Sequence, residues 1–309
     1  MKRLMTFALG AALTIGVVGC SKPSLDGSVS DVESRLAASA QGDFNAAVAS
    51  GDAHWAKRDS EEETRAAIAA WQEAVTFDTG DADRRATLFP VYTKLAAAYY
   101  WLGHGHLFFI SNRREREAAQ QGAYQECMEV GRVALALRNP AWNEALQDGT
   151  HINDAVKLLE KEDVPAAYWY ATCAGKWATI EGIAALLGYK DQIYAMISRV
   201  AELDESFYYR ASDRYFGVVY TKLPFMNPDL PRSRAHFEAA INAHPEYLET
   251  RALFVEEHLT KTGEGRLARE QLEYVINADP NAAPNVYAEN VRAQRHSKQL
   301  LDKFDEFFR

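Results

Sequence analysis

The 309-residue chain has little cysteine, three residues in all. No two of them stand in a Cys-x-x-Cys or Cys/His ligand spacing, so neither a zinc motif nor a dithiol redox motif is present. Glycine and proline together number 28, too few for a low-complexity or collagen-like chain. No Gly-x-x-x-x-Gly-Lys-Ser/Thr, Gly-x-Ser-x-Gly or His-Glu-x-x-His occurs, which leaves nucleotide, esterase and metalloprotease chemistry without residues to carry it. The run Cys173-Ala174-Gly175-Lys176-Trp177 lacks the first glycine and the closing Ser or Thr of a phosphate loop. Alternating apolar and polar stretches, the mark of half-buried strands, are missing too. Positive charge is in the minority, 34 basic against 43 acidic residues, a net charge of -9. Such a surface repels phosphate backbones and anionic lipid, and nucleic acid is not expected as a partner. These absences predict a binding protein and not an enzyme, with no cofactor and no metal.

What is present begins with a leader. Lys2 and Arg3 precede an apolar run, Leu4 to Val18, too short to span a bilayer as a helix. It ends Val17-Val18-Gly19-Cys20, small residues before a cysteine, which resembles the lipobox of bacterial lipoproteins. That resemblance implies cleavage after residue 19 and lipid on Cys20. A polar tether would follow over 20–40, and a helical domain over 41–309. Ser21 after the cysteine resembles outer-membrane sorting. The remaining cysteines, Cys127 and Cys173, could pair in an oxidising compartment or stay as buried thiols.

Past residue 40 the apolar residues recur at three- and four-residue spacing, as in "VYTKLAAAYYWLG" and "RLAREQLEYVINA". The corner "INAHP" at Pro245 returns as "INADP" at Pro280, a period of 35 residues. A period near 34 signals tetratricopeptide-type helical hairpins, in which one pair cannot bury its own apolar face and neighbours share a core. The last copy places Ala252, Val255 and Leu259 on its first helix, Gly263 in the turn, and Ala268, Leu272 and Val275 on its second. Others place Phe216, Gly217 and Tyr220 against Ser233, Phe237 and Ala240; Leu95, Ala96 and Tyr99; Ala67, Trp71 and Ala74; and Ile193, Ile197 and Val200. The expectation is an all-α array of about five hairpins, with a helical insertion over 103–122.

The runs "YYRASDRYFGVVYTKLPFMNPDLPRSRAHFEAAINAHPEYLETR", "AAYWYATCAGKWA" and "YAENVRAQRHSKQLLDKFDEFF" resemble the T component associated with TRAP transporters, the TatT family of tetratricopeptide lipoproteins. The resemblance covers residues 20–309. It implies a periplasm-facing lipoprotein that works beside the substrate-binding protein (P component) of a TRAP-type uptake system. It further implies a homo-oligomer, a trimer, with a cavity for a small, hydrophobic organic ligand. A scaffold that holds peptide segments in its groove during envelope assembly is the alternative.

First helices of such hairpins line the concave face, and aromatic residues are dense there. Tyr100, Trp101, Trp169, Tyr170, Trp177 and Tyr215 are candidate cavity walls. Each helical step turns about 100°, so adjacent rings cannot all face one way. Arg210 and Arg214 are four apart and could grip a ligand carboxylate; pairing with Glu205 or Asp213 is the competing reading. His104 and His106 flank a glycine without a carboxylate at ligand spacing. Leu107 to Ile110 would either pack on the core or face a second protomer.

Overall fold

The structure, a computed structural model, describes residues 28–222 and 228–308. The leader, Cys20 and the Leu223-Pro224 pair lie outside the described residues. Every described regular element is helical. From Ser28 onward the expected tether is docked: Val29 is buried and exchanges hydrogen bonds with the Asn143 side chain at 2.8 and 3.2 Å. A short helix, α1 (Val32–Leu36), follows it.

Five hairpins then stack. They are α2 (Phe44–Trp55) with α3 (Glu61–Ala74), and α4 (Arg84–Trp101) with α5 (Arg113–Arg138). A linker carries α6 (Pro140–Gln147) and α7 (Ile152–Ala155). Next come α8 (Val164–Glu181) with α9 (Ile183–Leu203), and α10 (Phe207–Lys222) with α11 (Leu230–Ala243). The fifth first-helix is α12 (Glu249–Phe254), prolonged by a π turn (Val255–Leu259) and α13 (Thr260–Thr262), and it pairs with α14 (Gly265–Asn277). The end is α15 (Tyr287–Asp302) and α16 (Phe304–Phe307).

Local chemistry starts these helices. Asp43, Asp83, Asn112 and Asp229 each accept the backbone N–H three residues on, at 3.0 to 3.1 Å. That satisfies donors a helix start leaves orphaned. Where paired helices cross closely, a glycine meets a large ring. A Cβ on Gly51 would lie 2.3 Å from Trp71, and one on Gly217 would lie 2.8 Å from Phe237. The repeat positions read from the sequence are buried: Ala252, Val255, Leu259, Ala268, Leu272 and Val275 are each at most 1% exposed.

The insertion over 103–122 is helical: Leu102–His106 forms a π turn and Leu107–Phe109 a 3-10 turn, and its second half is the start of the 26-residue α5 at Arg113. Asn112 caps it and an Arg113–Glu117 ion pair spans its first turn, so this segment favours helix by itself. The apolar residues of the insertion are used internally. Leu107 is buried, Phe108 meets His296 edge-on at 5.0 Å, and Arg295 lies 3.8 Å over Phe109.

Cys127 of α5 and Cys173 of α8 form a disulfide, which resolves the choice the sequence left open. It ties the second hairpin to the third, whose helices α5 and α8 pack directly together. Among the described residues no helix is long and apolar enough to cross a membrane.

Candidate functional site

The array curls until its end meets its beginning. Arg58, just past α2, donates to both Glu289 carboxylate oxygens on α15, at 2.9 and 3.2 Å, and to the Asn285 carbonyl at 2.7 Å. Inside this clasp lies a cavity of about 250 Å³. It is walled by Trp55, Tyr100, Trp101, Trp169 and Tyr208, with Arg58, Asn285 and Glu289 at its polar edge. Tyr100 and Tyr208 each pack on Trp169 at 5.0 Å, one tilted and one edge-to-face. Drug-sized pockets run from about 300 Å³ upward, so this one suits a small molecule.

Of the candidate wall residues, Tyr100, Trp101 and Trp169 reach the cavity. Tyr170 instead fills the α5–α8 crossing, where a Cβ on Gly131 would lie 3.2 Å from it. Trp177 meets Tyr189 edge-on at 5.9 Å, and Tyr215 packs on Phe216 at 5.8 Å. Of Tyr99, Tyr100 and Trp101 two reach the cavity, and of Tyr168, Trp169 and Tyr170 only Trp169 does, since the turn per residue keeps three adjacent rings from facing one way.

The two arginines do not act as a pair. Tyr208, Tyr209 and Arg210 have φ of 42°, 58° and 56°, a left-handed turn at the start of α10. Arg210 is therefore off the helix face that spacing assigns to it, and it is bound to Glu205 and, at 2.6 Å, to Asp213. Arg214 is buried, donates to the carbonyls of Tyr208 and Tyr209, and stacks 4.3 Å over Tyr247. A left-handed residue other than glycine costs about 1–2 kcal/mol. Arg214 offsets that cost, with help from the Tyr208 hydroxyl, which donates to Glu289 at 2.9 Å. The turn is what sets Tyr208 in the cavity wall.

Beyond Tyr100 the interior becomes polar. Tyr100 stacks on His104 at 5.2 Å, and the buried His104 contacts Glu249 at 3.1 Å. Arg292 donates to the same Glu249 oxygen at 2.5 Å and to the His104 carbonyl at 2.9 Å. Lys222 pairs with Glu257 at 2.7 Å, and His296 faces Glu256 at 3.6 Å. His104 is thus held by hydrogen bonding; among the described residues no group of three or more His, Cys, Asp or Glu side chains is placed to hold a metal ion.

Burial, then the charges of Arg292 and Lys176, push the His104 imidazole down to about 3. It is neutral in the fold and donates from Nε2 to Glu249. Burial works to protonate Glu256, but His296, Lys176 and Arg292 together hold it down at about 2. Both groups bind a proton more readily in the unfolded chain. Stability is therefore fully present above about pH 6.5 and falls as pH drops toward 3. The slope approaches 1.4 kcal/mol per pH unit for the buried His104, and the partly exposed Glu256 adds a smaller, solvent-screened share below about pH 4.5. Thermal melts between pH 7 and pH 4 check this, and in His104→Gln the decline between about pH 6.5 and pH 5 should be shallower but still present, because burial also lowers His106 and His258.

The sequence reading missed Arg58, Asn285 and Glu289. Arg58 and Glu289 are 231 positions apart, and no local pattern connects them. Trp55 and Tyr208 were visible as aromatic residues but not as neighbours.

No curated protein matches the chain. The family described as TRAP transporter T-component matches residues 106–308. That span takes in the helices from the turn after α4 to the end, including Trp169, Tyr208 and Glu289. It covers well over half of the chain, which therefore belongs to the TRAP transporter T-component family.

Proposed function

We propose that this accessory component of a TRAP uptake system receives a small, largely apolar organic molecule in the aromatic cavity, and that it does so while bound to the system's substrate-binding protein. The observation that carries the reading is the aromatic wall of Tyr100, Trp101, Trp169 and Tyr208 on the inner helices, bordered by the Arg58–Glu289 pair. Aromatic walls supply apolar area, and a few polar groups at one edge fix orientation. The Arg58–Glu289 clasp would then be the contact that opens to admit a molecule. Lipid on Cys20 would hold the protein at the outer membrane, facing the periplasm, and the working form would be a trimer.

The scaffold alternative would draw on a different feature, an open groove of about 630 Å³ beside Pro245 and Tyr274, rimmed by Glu246, Glu270, Glu273 and Asp279. The smaller, aromatic-walled pocket of about 250 Å³ favours the small molecule over an extended peptide.

Native mass spectrometry of the exported chain carrying Cys20→Ser, purified from its host periplasm, tests the proposal. The expected spectrum is a trimer that retains a small organic molecule, and Trp169→Ala should release that molecule. A bare monomer that captures extended peptides would overturn the proposal and promote the scaffold.

A further inference from the structure

Three indoles and two phenols meet at the cavity, from Trp55, Trp101, Trp169, Tyr100 and Tyr208. They form a cage and not a flat stack. Against Trp169, Tyr100 is turned by 40° and Tyr208 by 69°, each with its ring centre 5.0 Å away. A π face is the negative side of the ring quadrupole and attracts a cation. The hydrogen-bonding groups of two of these rings are already used. Trp101 donates its indole N–H to the Arg58 carbonyl at 2.6 Å, and the Tyr208 hydroxyl donates to Glu289 at 2.9 Å. Those two rings therefore offer the cavity their faces and not a donor.

The polar edge favours positive charge as well. Glu289 brings a buried carboxylate and Asn285 a backbone carbonyl. Among the described lining residues the one cation is Arg58, and it is bound to both. Its guanidinium also lies 5.0 Å over the Trp55 ring. This edge thus already holds a cation between a ring face and a carboxylate. An anionic ligand would need free donors or unmatched positive charge, and Trp101, Tyr208 and Arg58 present neither. An ammonium with methyl groups in place of its N–H groups demands no acceptor, and its methyls pack on ring faces. The net charge of -9 adds a general attraction for cations.

We infer that the cavity selects a small molecule with a quaternary, N-methylated ammonium head, seated on Tyr100, Trp169 and Tyr208 with the Glu289 carboxylate at its edge. The inference rests on the cavity reading above and adds the charge of the ligand to it.

The test uses choline and its carbon isostere, the alcohol in which a tert-butyl group replaces the trimethylammonium. The two match in shape and differ in charge. Each is titrated into the exported chain carrying Cys20→Ser, with calorimetry and tryptophan fluorescence as readouts, since three indoles line the cavity. The protein is expected to bind choline at least about tenfold more tightly than the alcohol, the discrimination that a desolvated cation–π contact supplies. Trp169→Leu keeps an apolar wall but removes a π face, and it should lower that ratio several-fold. Trp169→Phe keeps a ring and should retain most of the preference. Trp55→Leu, at a half-buried ring, serves if the first variant fails to fold. Binding of the alcohol as tight as that of choline would overturn the cation site and leave the apolar cavity standing. A preference unchanged in both leucine variants would place the cation elsewhere on the acidic surface and overturn the inference. Binding of neither probe would overturn the inference and the cavity reading together.

Discussion

Replacing Arg292 with Met will cost about 3–5 kcal/mol of stability, the loss seen when one partner of a buried ion pair is removed. The Arg292 side chain is 3% exposed, and it joins three elements. It bonds Glu249 of α12 and the His104 carbonyl, and it stacks 4.9 Å over Phe108 of the insertion. Burial works to protonate Glu249, and Arg292 is the main group that holds it ionised. The second Glu249 oxygen already lacks a partner. In Arg292→Met the carboxylate stays buried with only His104 beside it, and the methionine restores volume but not charge. Urea titration reads the loss. Adding Glu249→Gln should recover a large part of it, because the stranded charge, not the missing contact, dominates. A loss below about 1 kcal/mol in the single variant would show that the pair does not organise this interior.

The second large effect belongs to the disulfide. Cys127 and Cys173 are 46 positions apart in sequence, and closing a loop of that size stabilises by about 4 kcal/mol in the chain-entropy view. The bond also bolts α5 to α8 at the seam between the second and third hairpins, where a stacked array has only nearest-neighbour contacts to rely on. The double variant Cys127→Ala/Cys173→Ala should therefore melt about 8 °C or more below the oxidised wild type, and reductant should lower the wild type by a similar amount. Hydrogen exchange should quicken first at that seam. An unchanged melting temperature would mean that packing alone holds it. The bond suits an envelope protein, since disulfides persist in oxidising compartments.

Much of the fold was legible because a helix advertises itself locally. Trp71, Phe237 and Leu272 could be assigned to a core from spacing alone, and each is fully buried. The repeat at Pro245 and Pro280 marked the hairpin corners. The insertion was legible because "GHGH" breaks the periodicity, and "NRRERE" behind it is a capped helix start that lengthens α5. The candidate site was only partly legible. Aromatic density along the first helices pointed to the surface where the cavity lies, but density does not say which ring faces inward. For Tyr100 and Trp169 that was settled by how α4 and α8 are rotated against their neighbours.

The sequence by itself determined the helical class, the hairpin count, the buried repeat positions and the resemblance to the T-component family, because each is written in residues a few positions apart. Only the tertiary structure decided that Arg58 closes on Glu289, that Cys127 meets Cys173, and that three left-handed residues turn Tyr208 inward and Arg210 aside. These facts depend on the curvature of the stacked array. That curvature is the sum of many small rotations between hairpins, set by packing among side chains tens to hundreds of residues apart.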